Sequence, residues 1–182
     1  MATTIKQVEA TPDDYPTLPR TLTLSATAAA LNKAMVWQRI ESYIAFRFSV
    51  RDVVWIVEGC GEWSPPLQPA TITTIQAWSR AGEWETAELN PSPLGGYWLS
   101  SSGPFRFSGT VGDDDSDLPP VVVEAYRRLA EYFASKPGKA GATSEQVRAG
   151  SVTVSVSRDP AFMSNALPNS GAADLLRPYR RA

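Results

Sequence analysis

Five glutamates, Glu58, Glu62, Glu83, Glu85 and Glu88, share a stretch with Trp55, Trp63, Trp78 and Trp84. Paired carboxylates beside aromatic rings are the equipment of a sugar-cleaving cleft, one serving as acid and the other as nucleophile or base. The same glutamates also read as solvated strand and turn residues. Six tryptophans, five of them within residues 37–84, suit a carbohydrate-stacking platform. They equally suit a packed core or an intersubunit contact, where aromatic residues are enriched. The run Asp113-Asp114-Asp115-Ser116-Asp117 offers oxygen ligands to a hard cation, but it lacks the Asp-x-Asp-x-Asp-Gly…Glu spacing of a calcium loop. It reads as a solvated, capping segment ahead of a helix, where the dipole favours negative charge. Cys60 lies between two glycines with no base placed to activate it.

Two absences narrow the chemistry. The chain has no histidine, which removes the usual general base and the commonest metal ligand. Ser-His-Asp and Cys-His sites and His-ligated zinc are thereby excluded. Neither a Gly-x-x-x-x-Gly-Lys-[Ser/Thr] loop nor a strand–GxGxxG–helix unit is present, so no nucleotide cofactor is expected. Catalytic, cofactor-binding and metal-ligating residues are all expected to be none. One cysteine makes no internal disulfide and fits a reducing cytosol. No apolar run of about 20 residues and no basic, then apolar leader is seen, so neither a membrane span nor a signal peptide is expected.

With 182 residues, 43% apolar and 20% charged, the chain is expected to form one domain with an insertion and a real core. Its charge is unevenly placed. Residues 1–135 carry 10 Lys/Arg against 16 Asp/Glu, net −6, and residues 136–182 carry 7 against 3, net +4. An acidic body with a basic tail presents complementary surfaces to its own copies.

The elements that must position these residues follow from periodicity. Residues 1–24, with Pro12, Pro16 and Pro19, read as an extended arm. Trp37, Ile40, Ile44 and Phe48 at spacings of 3, 4 and 4 predict a helix over 26–47, capped by Ser25 or Thr27. Residues 50–112 break into short β-branched and aromatic runs separated by Gly, Pro and Ser, the mark of an antiparallel β unit. Phe105, Phe107 and Gly109 share one face there, and Arg106, Ser108 and Thr110 the other. Val122, Tyr126, Leu129 and Phe133 predict a second helix from Pro119 or Pro120 to about Ser135. Residues 136–144 read as a linker. Val152, Val154 and Val156 then alternate with polar residues as an isolated strand, seeking an edge that a neighbouring subunit can supply. Leu175, Leu176 and Tyr179 form a small apolar anchor beside Arg177, Arg180 and Arg181. The expected fold class is α+β: a small helical core over 25–135 with an inserted antiparallel β unit at about 50–112, an N-terminal arm (1–24) and a C-terminal linker, β arm and docking segment (136–182).

This order of elements resembles the head–tail connector (adaptor) proteins of long-tailed bacteriophages and gene transfer agents. The likeness is carried by Trp55-Ile56-Val57-Glu58-Gly59, Gly103-Pro104-Phe105-Arg106, the Leu118–Tyr132 helix and the Leu175-Leu176-Arg177-Pro178-Tyr179 ending, over roughly residues 22–182. The β insertion is larger than in the mostly helical members. The resemblance implies a non-enzymatic virion protein at the neck, assembled in the host cytoplasm. It also implies a ring of about twelve copies between the portal and a stopper or tail-completion protein, with double-stranded DNA passing through the lumen. On that expectation Val152, Val154, Val156, Leu175, Leu176, Arg177, Tyr179, Arg180 and Arg181 serve portal or subunit contacts, and Asp113, Asp114, Asp115 and Asp117 face the lumen. The alternative is a Trp-rich carbohydrate-binding module of a tail or host-recognition protein.

Overall fold

The structure is a computed structural model describing residues 1–93, 95–114, 117–135, 144–149, 152–157 and 162–180, with 144–149 and 152–157 described by their backbone. Residues 136–143 of the expected linker, Asp115 and Arg181 lie outside the described residues. The chain divides into two units, residues 1–16 with 45–117, and residues 17–44 with 118–182.

The first unit is all β. It holds β1 (Thr3–Glu9), β2 (Arg51–Glu58), β3 (Gly61–Trp63), β4 (Ala70–Trp78), β5 (Trp84–Thr86), β6 (Asn90–Pro91), β7 (Tyr97–Leu99) and β8 (Phe105–Val111). Five strands form an antiparallel sheet in the order β1-β2-β8-β4-β5, and three form a second in the order β3-β7-β6. Alternation sets which face is buried: Val53, Trp55 and Val57 of β2 and Phe105, Phe107 and Val111 of β8 point inward. They pack with Trp63, Leu67 and Leu99 in one core cluster. Trp63 stacks on Phe107 with centroids 4.2 Å apart and meets Trp55 edge-on at 5.9 Å. Glycine is required at position 109, because a Cβ there would lie 2.0 Å from the Thr71 carbonyl oxygen where β4 is irregular.

Of the expected N-terminal arm (1–24), residues 3–9 form an extended strand. Thr3–Glu9 pairs along β2 as the edge of the large sheet. Its side chains also satisfy buried indoles: Trp55 Nε1 donates to Gln7 Oε1 at 2.8 Å and Trp63 Nε1 to Thr4 Oγ1 at 2.9 Å. Each bond removes a buried unsatisfied donor.

The second unit holds α1 (Ala26–Ala29), α2 (Lys33–Glu41), α3 (Pro120–Ala134), β9 (Ser144–Ala149), β10 (Val152–Ser157), α4 (Ala166–Asn169), α5 (Ala172–Leu175) and a 3-10 turn (Arg177–Tyr179). Its buried residues include Val36, Trp37, Ile40, Val122, Tyr126, Leu129, Leu167 and Leu176, with Trp37 and Tyr126 rings 5.2 Å apart. Pro120 takes the first turn of α3, where its missing N–H costs nothing.

The single helix expected over 26–47 is instead α1 and α2. Asn32 interrupts it, because its Oδ1 accepts from the Ala34 N–H at 2.9 Å and starts a new helix. Ser25 caps α1, its Oγ accepting from the Ala28 N–H at 3.2 Å. Ser25 also donates from its backbone N and Oγ to Glu131, at 2.6 and 2.8 Å, tying α1 to α3. The expected isolated strand at Val152, Val154 and Val156 is not isolated: β10 pairs antiparallel with β9, which begins at Ser144, a residue expected in the linker. Within the expected C-terminal arm, Phe162 and Asn169 are held on α3, where Tyr132 donates to the Phe162 carbonyl at 3.0 Å and accepts from Asn169 Nδ2 at 3.0 Å.

The fold class is therefore mixed α+β and mainly β, not a helical core with an insertion. The physical reason is twofold. The β region carries enough inward aromatic area to close its own core, and the first helical stretch is cut short by a competing cap. No helix among the described residues is long and apolar enough to cross a membrane.

Candidate assembly interface

The candidate catalytic carboxylates are dispersed over different elements. Glu58 ends β2 opposite Thr3, Glu85 sits on β5 opposite Ala77, and Glu62 sits on β3 opposite Trp98, its carboxylate accepting from Ser92 Oγ. Glu58, Glu83, Glu85 and Glu88 are exposed. Among the described residues no group of three acidic or cysteine side chains could hold a metal ion. Cys60 is exposed.

The tryptophans divide by role. Trp37, Trp55 and Trp63 are buried, while Trp78 and Trp98 remain 45% and 54% exposed. Trp78 and Trp84 face each other across the β4–β5 hairpin, centroids 5.0 Å apart and edge-on. They share the open face of the large sheet with Gln76 and Arg106, which are also cross-strand partners. The Arg106 guanidinium lies over the Trp84 ring at 4.7 Å, and its Nε donates to Gln76 Oε1 at 2.8 Å. The run Gln76–Arg106–Trp84 is a cation held between an amide and a π face, an arrangement that orders all three side chains. Within β4 the shared parity of residues 76 and 78 was the signal, and the strand pairing is what adds Arg106 and Trp84.

The N-cap of α3 is Pro119, which makes no side-chain bond. Asp114 Oδ1 instead accepts from the Val50 N–H at 2.9 Å within the β unit. Asp113 is half-buried, and Asp114 and Asp117 are exposed.

The C-terminal segment is split by helical rotation. Leu176 is fully buried in its own unit, whereas Leu175 and Tyr179 are half-buried and Arg177 and Arg180 exposed. Leu176 thus anchors the segment to its own chain. The Arg180 guanidinium stacks over the Tyr43 ring at 5.0 Å. Of the residues expected at interfaces, the structure brings Leu175, Arg177, Tyr179 and Arg180 together on one short stretch. Val152, Val154 and Val156 lie on β10.

Sequence reasoning missed one buried polar cluster. Glu9 on β1 accepts from Arg47 Nε at 2.5 Å and Nη2 at 3.1 Å, and from Arg51 Nη1 at 3.2 Å. Arg51 also lies 5.7 Å from the Tyr15 ring centroid. Both arginines are more than nine-tenths buried. Two arginines just ahead of the apolar run of β2 were the available signal.

The units carry opposite charge. The β unit has 5 Lys/Arg against 13 Asp/Glu, net −8, and the helical unit 12 against 6, net +6. In the helical unit Glu124 binds Arg127 and Arg128 at 2.8 Å each, which holds its carboxyl at about 2, well below 4.5. The Glu131 carboxyl is also lowered, chiefly by the Ser25 backbone and hydroxyl hydrogen bonds.

The fold resembles that of a gene transfer agent virion chain. That chain, from the virion of a native gene transfer agent particle, superposes with a TM-score of 0.53 at 14% identity, over 98% of this chain and 96% of its own. A second, from the neck of an empty gene transfer agent particle with C6 symmetry, gives 0.48 at 14% identity over 91% and 95%. No family model and no curated protein matches the chain.

Proposed function

We propose that the chain is a structural virion protein of a phage-like neck, a head–tail adaptor that forms a ring between the portal and the stopper or tail-completion protein. The carrying observation is the fold shared end to end with a chain of a gene transfer agent virion. Two features support it. Local phrases of the sequence resemble head–tail adaptors, and the oppositely charged units suit head-to-tail contacts, in which one surface of each copy must complement a different surface of the next.

In this reading the ring holds about twelve copies and passes double-stranded DNA through its lumen. Exposed Asp114 and Asp117, with Asp113, face that lumen and keep the polyanion from adhering. Leu175, Arg177, Tyr179 and Arg180 serve portal or subunit contacts, and β10 lies in the same C-terminal region. The protein does no bond-making chemistry. Labelling the chain in purified particles and imaging them by electron microscopy tests the proposal. Density between head and tail, and DNA-filled tailless heads when the gene is deleted, are expected. Label at the tail tip, or particles lacking the chain, would overturn it.

A further inference from the structure

We infer that β10 (Val152–Ser157) of one copy adds as an extra strand to the free edge of β1 (Thr3–Glu9) in a second copy of this chain. The inference rests on the virion-ring reading and names its subunit contact. β1 closes one side of the five-stranded sheet and, among the described residues, pairs only with β2. Its other side presents backbone N–H and C=O groups, a template for a further strand. Natural sheets guard such edges by shortness or by charge. Among the described residues the edge strands β3, β5 and β6 are two or three residues long. β1 is seven residues long, runs in regular register from Lys6 to Glu9, and leaves Ile5 and Val8 59% and 52% exposed. Of its charged residues, Glu9 is engaged by Arg47 and Arg51, which leaves Lys6 as the guard.

The helical unit supplies a strand that needs a partner. β9 and β10 form a sheet of two strands, paired from Ala149–Val152 to Ser144–Ser157. A two-stranded sheet is marginal in water and gains from a third strand. The two strands differ in sequence. β9 carries Glu145 and Arg148, whereas β10 alternates Val with Thr and Ser and carries no charge. β10 is therefore the unguarded edge, six residues long against the seven of β1. Within one chain β1 and β10 belong to separate sheets, so the pairing joins two copies. Charge complementarity selects the occupant: β1 belongs to the unit of net −8 and β10 to the unit of net +6. Pairing β1 with β1, or β10 with β10, would bring like-charged units together. The two edges are different surfaces, so the contact is heterologous and propagates from copy to copy until it closes.

The test uses the full chain with Cys60→Ser, so that each added cysteine is the only one. A Lys6→Cys protein is mixed with proteins bearing a single cysteine at each position from 152 to 157 in turn, and the mixtures are oxidised at about 50 mM salt. Disulfide-linked heterodimer is expected at alternate positions, because successive residues of an added strand fall on opposite faces. Homodimer should be minor. Sedimentation velocity is the second measurement. The wild type is expected to associate at about 100 μM and low salt, and Ile5→Glu/Val8→Glu, both at exposed sites, to weaken association by about tenfold or more. That change makes the β unit more acidic, so attraction between oppositely charged units alone would predict the reverse. No heterodimer, heterodimer without alternation, a wild type that stays monomeric, or a double variant that associates as the wild type does overturns the inference. Particles that carry the chain at the neck while the mixtures give no heterodimer sink this contact alone. Heterodimer at alternate positions while particles lack the chain sinks the virion reading alone.

Discussion

Glu9 and Arg47, 38 positions apart in sequence, meet through two hydrogen bonds, Oε1 to Nε at 2.5 Å and Oε2 to Nη2 at 3.1 Å. The bond is bidentate and mostly buried, and Arg51 shares the same carboxylate. It fastens the edge strand β1 to the segment entering β2. Removing the acid leaves two buried cations short of a partner, which is costlier than never having had the pair. Glu9→Ala should destabilise the β unit by about 3 kcal/mol, read from urea unfolding, and Glu9→Gln by less. A change under about 0.5 kcal/mol would show the cluster to be ornamental.

The edge strand also satisfies two buried indoles. Thr4→Val keeps the shape of the side chain but removes the acceptor for Trp63 Nε1. The expected loss is about 1 to 2 kcal/mol, with faster amide exchange confined to the β unit.

Leu175 and Leu176 are neighbours with different fates. Leu176→Ala should cost about 2 to 4 kcal/mol, because the side chain is fully buried. Arg177→Ala, at an exposed position, should stay within about 0.5 kcal/mol. Thermal melts of the two variants check the contrast. Deleting the whole C-terminal segment would therefore unfold its unit as well as remove a contact surface, so point changes are the informative variants.

Acid should loosen the helical unit. Glu124 is held at about 2 by Arg127 and Arg128, against 4.5 when unperturbed. A carboxylate with a depressed folded pKa stabilises the fold above its unfolded pKa, and that stabilisation is lost as pH falls through the folded one. The loss therefore falls between about pH 4.5 and pH 2, in the same direction for Glu131, and the contribution of these two carboxylates is constant above it. Glu124 is about one-third exposed, so its share is screened to below about 1 kcal/mol. Protection of the α3 amides against hydrogen exchange, corrected for the intrinsic rate at each pH, should fall across that window in the wild type and change less in Glu124→Gln.

Gly109→Ala should disrupt the β unit, since its Cβ would collide with the Thr71 carbonyl, a backbone atom that cannot step aside. The expected cost is about 2 kcal/mol or more, seen as a lowered midpoint in denaturant.

Much of the secondary structure was legible. The parity of Phe105 and Phe107 against Arg106 and Ser108 named the buried and open faces of β8, and Val122, Tyr126 and Leu129 named the buried stripe of α3. What stayed hidden was decided by distant partners or by one competing local bond. β1 is polar and mostly exposed, and only its pairing with residues 53–58 makes it a strand. Asn32 looked like an ordinary helical residue, yet its side chain competes with helix continuation and wins. Ser144–Ala149 lacks apolar alternation, so β9 is identified by its partner β10 rather than by its own pattern. At the candidate interface, residue types pointed to the arginines and tryptophans. Which tryptophans reach the surface depended on sheet faces that no single strand discloses.

The two units are interleaved along the chain, the helical one needing residues 17–44 together with 118–182. No contiguous gene fragment can therefore encode it without also encoding residues 45–117. A library of nested truncations will report failure at nearly every end point, for reasons unrelated to where the contacts of the virion lie. Dissecting this molecule calls for fragment complementation, with the pieces co-expressed and left to find each other, or for a permuted gene whose termini open elsewhere.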